Sequence, residues 1–291
     1  MIKWLREQVS VNSTSLVYLL SLVVIRDHFV KPWYTKISVE IFFLIGILFP
    51  PARLHRDFWF LFLAVAVCSL VFNYEVLDNH KFFMAIWIFT LWLASMQEEG
   101  ERTRDLISTS ARYLIGLVMF FSVLWKFLSH DFLNGQFFEG SLLIDERFRV
   151  FASLISGISV EGLNANTAGL ERLHEYGNGI TTWPLNSNLS IRLAAKALTW
   201  WTLGIEGAIA VLFLLPFRSS KMEVWRNGVL LFFCLTTYSI ATVKGFAWIL
   251  LTMGFAQCSM QAIKTRWAYI AVIFLLVIYQ VPYGDVVRES W

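Results

Sequence analysis

The sequence predicts an all-α membrane protein, folded as a multi-pass transmembrane helical bundle with eight or nine spans. One reason is composition: 57% of the 291 residues are hydrophobic, only 15% are charged, and the mean hydropathy is +0.60. An ordinary soluble domain has about a quarter of its residues charged. The second reason is that apolar runs of roughly 20 residues, the length that crosses a bilayer, recur along the chain. We therefore expect residues 1–291 to form one integral membrane domain.

Nine apolar runs are candidate spans, and several are short enough that the expected count is eight or nine. They are Ser13–Phe29, Trp33–Phe49, Phe58–Tyr74, Phe82–Met96, Leu106–Leu128, Leu193–Phe217, Gly228–Val243, Phe246–Ile263 and Trp267–Val281. Proline bounds two of these runs because it cannot continue a helix. Pro50-Pro51 follows the second run, and Pro282 follows the ninth.

A long middle segment, residues 134–190, is too polar to span a membrane and too long to be a bare connection. Its apolar residues recur every three or four positions, at Ile144, Phe148, Phe151, Ile155 and Ile158. This spacing predicts an amphipathic helix that lies on the membrane or packs on the bundle. Leu170–His174 is a candidate second short helix. We expect the segment to be an interfacial insertion within the single domain.

The charges and cysteines argue against several functional classes. The formal net charge is only +3, which gives no nucleic-acid footprint. Cys68, Cys234 and Cys258 lie in apolar runs without a CxxC spacing, so we expect small buried side chains rather than metal or redox ligands. The histidines show no metal-ligand spacing, and we expect no metal cofactor.

The distribution of Lys and Arg predicts the orientation of the chain. With a cytoplasmic N-terminus, the cytoplasmic segments carry Lys3 and Arg6, Arg53 and Arg56, Arg102 and Arg104, Arg218, Lys221 and Arg226, and Lys264 and Arg266. Two consecutive crossings return the chain to the face it left. His80, before the fourth span, and Lys126, near the end of the fifth, are therefore expected at one extracytoplasmic face.

Lys126 and His80 each allow two interpretations. A lysine near a helix end often extends its amine to the headgroups. Alternatively, burial makes the neutral amine of Lys126 available as a base. His80 is either a cap or hydrogen-bonding residue at the start of its helix, or the polar partner of Lys126.

Three more charged residues lie well inside predicted spans, away from the span ends. Glu206 is in the middle of the sixth span, where a carboxylate should pair with another group or line a cavity. Structural pairing, with Arg192 or Lys196 as candidates on the same helix, is at least as plausible as catalysis. Glu40 and Arg112 are expected to face the bundle interior.

Four short motifs follow one another along the chain. They are Asp78-Asn79-His80 before an apolar helix, Lys126-Phe-Leu-Ser-His-Asp-Phe-Leu-Asn-Gly135, Trp200-Trp-Thr-Leu-Gly-Ile-Glu206, and Cys234 to Phe246. The order and spacing of these four motifs resemble those of the vitamin K-dependent gamma-glutamyl carboxylase family and of the related bacterial HTTM (horizontally transferred transmembrane) domain. The resemblance covers about residues 10 to 260. Phe132 stands where the family has Trp, and Cys234 where the carboxylase has His.

The resemblance implies a membrane core that binds reduced vitamin K or another membrane quinol, with oxygen and carbon dioxide as co-substrates. Lys126 would be the base that deprotonates the quinol, and His80 would support it. Asn79, Trp125, Glu206 and Cys234 would belong to the cofactor-binding surroundings. The implied partners are the bilayer, the quinol and a secreted peptide or protein.

Three functional hypotheses follow. The first is an enzyme of the carboxylase type, a quinol-epoxidising carbon–carbon lyase. The second is a non-catalytic membrane protein of the same fold that acts in maturation of, or immunity to, a secreted peptide. The third is a transporter with Glu206, Glu40 and Arg112 along its path, although the sequence shows no inverted repeat.

Overall fold

All regular secondary structure in the described part of the chain is helical, which confirms the all-α prediction. The computed structural model describes residues 13–29, 33–74, 79–98, 100–175, 184–216, 219–241 and 244–279. The helices are α1 (Ser13–His28), α2 (Trp33–Leu48), α3 (Arg56–Phe72), α4 (Asn79–Ser95), α5 (Glu101–Leu128), α6 (His130–Leu133), α7 (Gln136–Ile144), α8 (Arg149–Ser156), α9 (Val160–Glu175), α10 (Leu189–Leu214), α11 (Ser220–Ile240), α12 (Lys244–Gln257) and α13 (Ile263–Tyr279). The N-terminal segment, Asp78 and Trp183 lie outside these ranges.

Two of the described helices, α5 and α10, are long and apolar enough to cross a membrane. They contain 28 and 26 residues, which corresponds to roughly 42 and 39 Å at about 1.5 Å per residue. A bilayer has a hydrocarbon thickness of about 30 Å. Much of the apolar surface of both helices is exposed, including Phe120, Trp125 and Trp200. These helices indicate a membrane-associated protein.

The two long helices pack against each other in opposite directions. Near the middle of α5, the Nε atom of Arg112 donates a hydrogen bond to the carbonyl of Phe213, at 2.9 Å. Beyond the end of α5, the hydroxyl of Thr199 donates to the carbonyl of Phe132, at 3.4 Å. Residues later along α5 thus contact residues earlier in α10. The antiparallel pair is the central element of the bundle.

A large apolar core joins most of the bundle helices. Trp59 and Trp87 are fully buried in it, and each satisfies its indole N–H. Trp87 donates to the hydroxyl of Ser21 at 2.9 Å, and Trp59 donates to the carbonyl of Arg53 at 2.6 Å. The ring of Tyr18 stacks on Trp59, with 5.1 Å between ring centroids. These two buried indoles thus find polar partners that an apolar interior otherwise lacks.

The middle segment folds as α7, α8 and α9 around a second, smaller core. The predicted continuous amphipathic helix is divided there. A 3₁₀ turn, Glu146–Phe148, precedes α8 because the Asp145 side chain accepts from the Arg147 N–H at 2.9 Å. α8 ends at Gly157, whose φ of 70° is left-handed. The predicted short helix Leu170–His174 is part of the longer α9.

We predict that Gly116→Ala destabilises the protein because the two long helices approach closely at this glycine. An added Cβ would lie 2.8 Å from Leu214 Cγ and 3.1 Å from Phe213 Cβ. We expect a loss of about 1–3 kcal/mol in the free energy of unfolding. Denaturation in detergent micelles measures it.

Gly204→Ala is the matched control because its Cβ would meet nothing within 4 Å. This change should be neutral or stabilise by up to about 1 kcal/mol, through better helix propensity. Equal effects of the two substitutions would contradict the close contact between α5 and α10.

Candidate functional site

The turn that follows α5 builds one side of the candidate site. The hydroxyl of Ser129 caps α6 by accepting from the Phe132 N–H at 3.3 Å. Gly135 adopts a φ of 89°, a left-handed conformation that glycine takes without strain. The chain can then reverse into α7 while Phe132 stays buried. The sharp turn brings the aromatic rings of Phe132 and Phe137 below the end of α5.

An ion pair between Lys126 and Glu206 connects α5 and α10 at this end of the bundle. The Lys126 ammonium donates to both carboxylate oxygens of Glu206 and, at 3.0 Å, to the hydroxyl of Ser122. The side chains are only 19% and 9% exposed. The Phe132 ring centroid lies 5.4 Å from the ammonium nitrogen. Lys126 is therefore held inside the bundle rather than extended to the surface.

The ion pair has a clear physical reason. A lone charge within an apolar helix is costly, and pairing it with an opposite charge offsets part of that cost. Lys126 lies in the last turn of α5 and Glu206 lies within the apolar part of α10, and the antiparallel packing brings them together. The pair is neutral overall, so it can remain away from bulk water.

A cavity of about 720 Å³ opens beside the ion pair. Its volume lies within the range of small-molecule sites, about 300–1,000 Å³. Six of its lining residues are aromatic and five others carry polar side chains. The lining residues are Asn79, His80, Phe83, Val118, Phe121, Ser122, Trp125, Lys126, Ser129, Phe132, Phe137 and Phe246. Lys126 thus faces a site that would suit a flat, largely apolar ligand with a few polar groups.

His80 and Lys126 line this same cavity. His80 lies in the first turn of α4, and its ring meets the ring of Phe246 edge-on, with centroids 4.7 Å apart. Asn79 precedes it and also lines the cavity. The sequence suggested His80 as the polar partner of Lys126, but the ion-pair partner in the structure is Glu206. The catalytic roles of His80 and Lys126 stay predictions.

The other predicted cofactor-binding residues lie at different depths. Trp125 lines the cavity and is 70% exposed. Glu206 lies behind Lys126 and reaches the cavity through it. Cys234 is fully buried in the main core and is not among the lining residues. Its predicted contact with a cofactor stays a prediction.

Glu40 and Arg112 have local partners. The Arg26 side chain pairs with Glu40 at 2.9 Å. Arg112 donates to the carbonyls of Phe213 and Leu215, where a cation is favoured at the C-terminal end of α10. The described residues contain no group of three or more His, Cys, Asp or Glu side chains that could hold a metal ion.

Sequence reasoning missed most of the aromatic lining and the partner of Lys126. A signal was present along α5, because Val118, Phe121, Ser122, Trp125 and Lys126 follow the three- and four-residue spacing of one helix face. Phe83 and Phe246 gave no such signal, since they come from two other helices.

Comparison of the chain with protein-family models, with curated proteins and with solved structures found no match. The resemblance to the carboxylase family therefore stays a prediction that depends on the motifs in the sequence.

We predict that breaking the ion pair from one side is costly and that removing both charges is not. Lys126→Met leaves Glu206 without its cation and should lower the free energy of unfolding by about 3 kcal/mol. The double variant Lys126→Met/Glu206→Leu should unfold near the native midpoint. Denaturation of the single and double variants in detergent gives the coupling energy.

Arg147→Met is the control, because it breaks the more exposed pair between Asp145 and Arg147. Its effect should be within about 1 kcal/mol. Additive effects of the changes at positions 126 and 206 would argue against a coupled pair.

Proposed function

We propose that this chain is a multi-pass membrane protein that binds a lipid-soluble quinol beside the Lys126–Glu206 pair and removes a proton from it. The observation that carries the proposal is an ion pair, nearly buried between two apolar helices, that opens onto an aromatic cavity of about 720 Å³. The motif resemblance to the vitamin K-dependent carboxylase family supports the same chemistry.

The residues around the cavity fit a quinol. Rings such as Phe121, Trp125 and Phe246 offer faces and edges to a flat aromatic head group. Asn79 and Ser122 offer hydrogen bonds to its hydroxyl groups. The exposed apolar surface beside Trp125 gives an isoprenoid tail a route into the bilayer.

The ion pair can act as a base while the net charge of the pair and its bound ligand together stays unchanged. When bound, reduced vitamin K or another membrane quinol would supply the electrons that reduce oxygen. Glu206 would accept the proton of a bound hydroxyl through the Lys126 amine. The Lys126 ammonium would then face the negative charge that remains on the ligand oxygen. In a cavity of low polarity this compensation is stronger than in water.

Carboxylation is the further step that the resemblance implies. It would use carbon dioxide and a glutamate side chain from a secreted peptide or protein. Such a partner would have to reach the cavity past α6 and α7, which contribute Phe132 and Phe137 to its wall. The middle segment is thus the surface that would meet a peptide.

The multi-pass topology is supported by the ends at which the helices meet. At one end, His80 at the start of α4 contacts Phe246 near the start of α12. At the other end, the hydroxyl of Ser108, early in α5, donates to the carbonyl of Gln257, the last residue of α12, at 3.3 Å. Helices that cross a membrane one after another place their starts and ends alternately at its two faces in this way. The Lys and Arg distribution favours a cytoplasmic N-terminus.

We predict opposite labelling at two introduced cysteines. Cys68 is exposed, whereas Cys234 and Cys258 are buried, so Cys68→Ser provides the background. In that background, Glu171→Cys in α9 should react in intact cells with a membrane-impermeant maleimide. Lys221→Cys at the start of α11 should react only after the cells are opened. Labelling of both sites in intact cells would contradict the proposed orientation.

We predict that the charge-free double variant Lys126→Met/Glu206→Leu remains folded but loses quinol oxidation. General acid–base groups contribute about 100-fold or more, so the rate should fall by at least that factor. Oxygen uptake by purified protein with reduced vitamin K, and mass spectrometry of the epoxide and quinone products, measure the loss.

Lys221→Met is the control, because this exposed lysine lies at the other end of the bundle. It should keep the native rate. An unchanged rate in the double variant would refute Lys126 and Glu206 as the base. No quinol turnover by the native protein, together with co-purification of a peptide, would favour the non-catalytic role in peptide maturation or immunity.

A further inference from the structure

A second cavity lies at the opposite end of the bundle from Lys126. Its volume is about 460 Å³, and its walls come from the first turns of α5, α11 and α13 and from the end of α12. Arg104 lines it, and 22 residues separate Arg104 from Lys126 along α5, which corresponds to roughly 33 Å at about 1.5 Å per residue. The two cavities are thus about one bilayer thickness apart.

Two deeply buried arginines line this second cavity. Arg226 is 8% exposed and Arg266 is 1% exposed. The Nε atom of each is buried without a hydrogen-bond partner. Arg266 donates a hydrogen bond to the sulfur of Met260 at 2.7 Å, a weak acceptor. Within the described ranges neither guanidinium forms an ion pair with a carboxylate.

The charge of these arginines requires compensation. Burial lowers the pKa of Arg266 to about 10, so this side chain still carries its charge near neutral pH. The arginines face aromatic rings, Phe255 at 4.4 Å from Arg266 and Phe213 at 5.7 Å from Arg226. Cation–π contact offsets only part of the cost of a buried cation. An anion in the cavity would offset the rest.

The acidic residues of the cavity fill this role only in part. Glu101 and Asp105 line its rim and are exposed to solvent, which screens them. Glu223 lies on the same helix as Arg226 and offsets part of its charge, and it accepts a hydrogen bond from the backbone N–H of Ser259 at 3.0 Å. Two buried arginines against this one carboxylate leave the deep end of the cavity with a net positive charge.

We propose that this second cavity binds a phosphate-type oxyanion, either free phosphate or a phosphate ester in solution, or the phosphate of a lipid headgroup. Guanidinium groups match the oxygens of a phosphate and donate several hydrogen bonds to it. The proposal is independent of the quinol site, because it uses residues at the other end of α5.

The test measures phosphate binding by the purified, detergent-solubilised chain. Isothermal titration calorimetry with inorganic phosphate should give a saturable dissociation constant. Arg226→Gln and Arg266→Gln should each weaken binding about 10- to 100-fold, because each removes charged hydrogen bonds. Arg102→Gln is the control, since this exposed arginine of α5 does not line the cavity. This variant should bind inorganic phosphate with the affinity of the native chain.

A lipid titration separates the two sources of the phosphate. Dioctanoyl phosphatidic acid is compared with inorganic phosphate, and dioctanoylglycerol is the phosphate-free control. Saturable binding of inorganic phosphate to the native chain assigns the site to a soluble ligand. Binding of phosphatidic acid alone, lost in the arginine variants, assigns it to a lipid headgroup. Absence of binding by both probes, or binding that the arginine variants leave unchanged, would overturn the proposal.

An unfolding experiment distinguishes a ligand site from a purely structural role. In phosphate-free buffer, Arg226→Met should be no less stable than the native chain, because it removes an unpaired buried charge. Phosphate should raise the unfolding midpoint of the native chain but not of this variant. Two results together would mean that Arg226 serves packing alone. The Arg226→Met variant would be less stable than the native chain without phosphate, and phosphate would leave the unfolding midpoint of the native chain unchanged.

Discussion

The need to neutralise charge inside an apolar helix bundle governs the arrangement of this chain. Lys126 in the last turn of α5 and Glu206 within α10 are nearly buried charges, and the antiparallel packing of the two helices joins them. Close packing at Gly116 permits this approach. The cavity lies beside this pair, and Lys126 forms part of its wall. The contact between the two long helices therefore also positions the candidate site.

The two ends of α5 handle buried charge in different ways. At one end, Lys126 has a carboxylate partner from the chain itself. At the other end, Arg226 and Arg266 have aromatic neighbours but no carboxylate ion-pair partner among the described residues. An internal partner gives a pair that is neutral overall. A missing partner leaves a net charge, for which we have proposed an anion. The two ends of the bundle thus differ in how buried charge is compensated.

Sequence reasoning was most successful where the signal is local. Apolar runs predicted helices at nearly the right places, and crossing parity predicted that His80 and Lys126 share one end of the bundle, where both line one cavity. The Lys126–Glu206 pair was missed because it depends on which helices become neighbours over 80 residues of chain. The second cavity was missed because Arg266 was interpreted as a loop charge that marks orientation, although it is almost fully buried. Pairing and burial are tertiary properties that periodicity does not encode.

The length of α5 has a consequence for the lipid around it. Its apolar part, Leu106 to Leu128, rises roughly 34 Å at about 1.5 Å per residue, against a hydrocarbon thickness of about 30 Å. Where this helix crosses a bilayer of that thickness, it fits with some tilt, and in a thicker bilayer it stands more upright. The tilt would set how deep Lys126 lies below the headgroups. Acyl-chain length would thereby change the depth of the ion pair without any change in the protein.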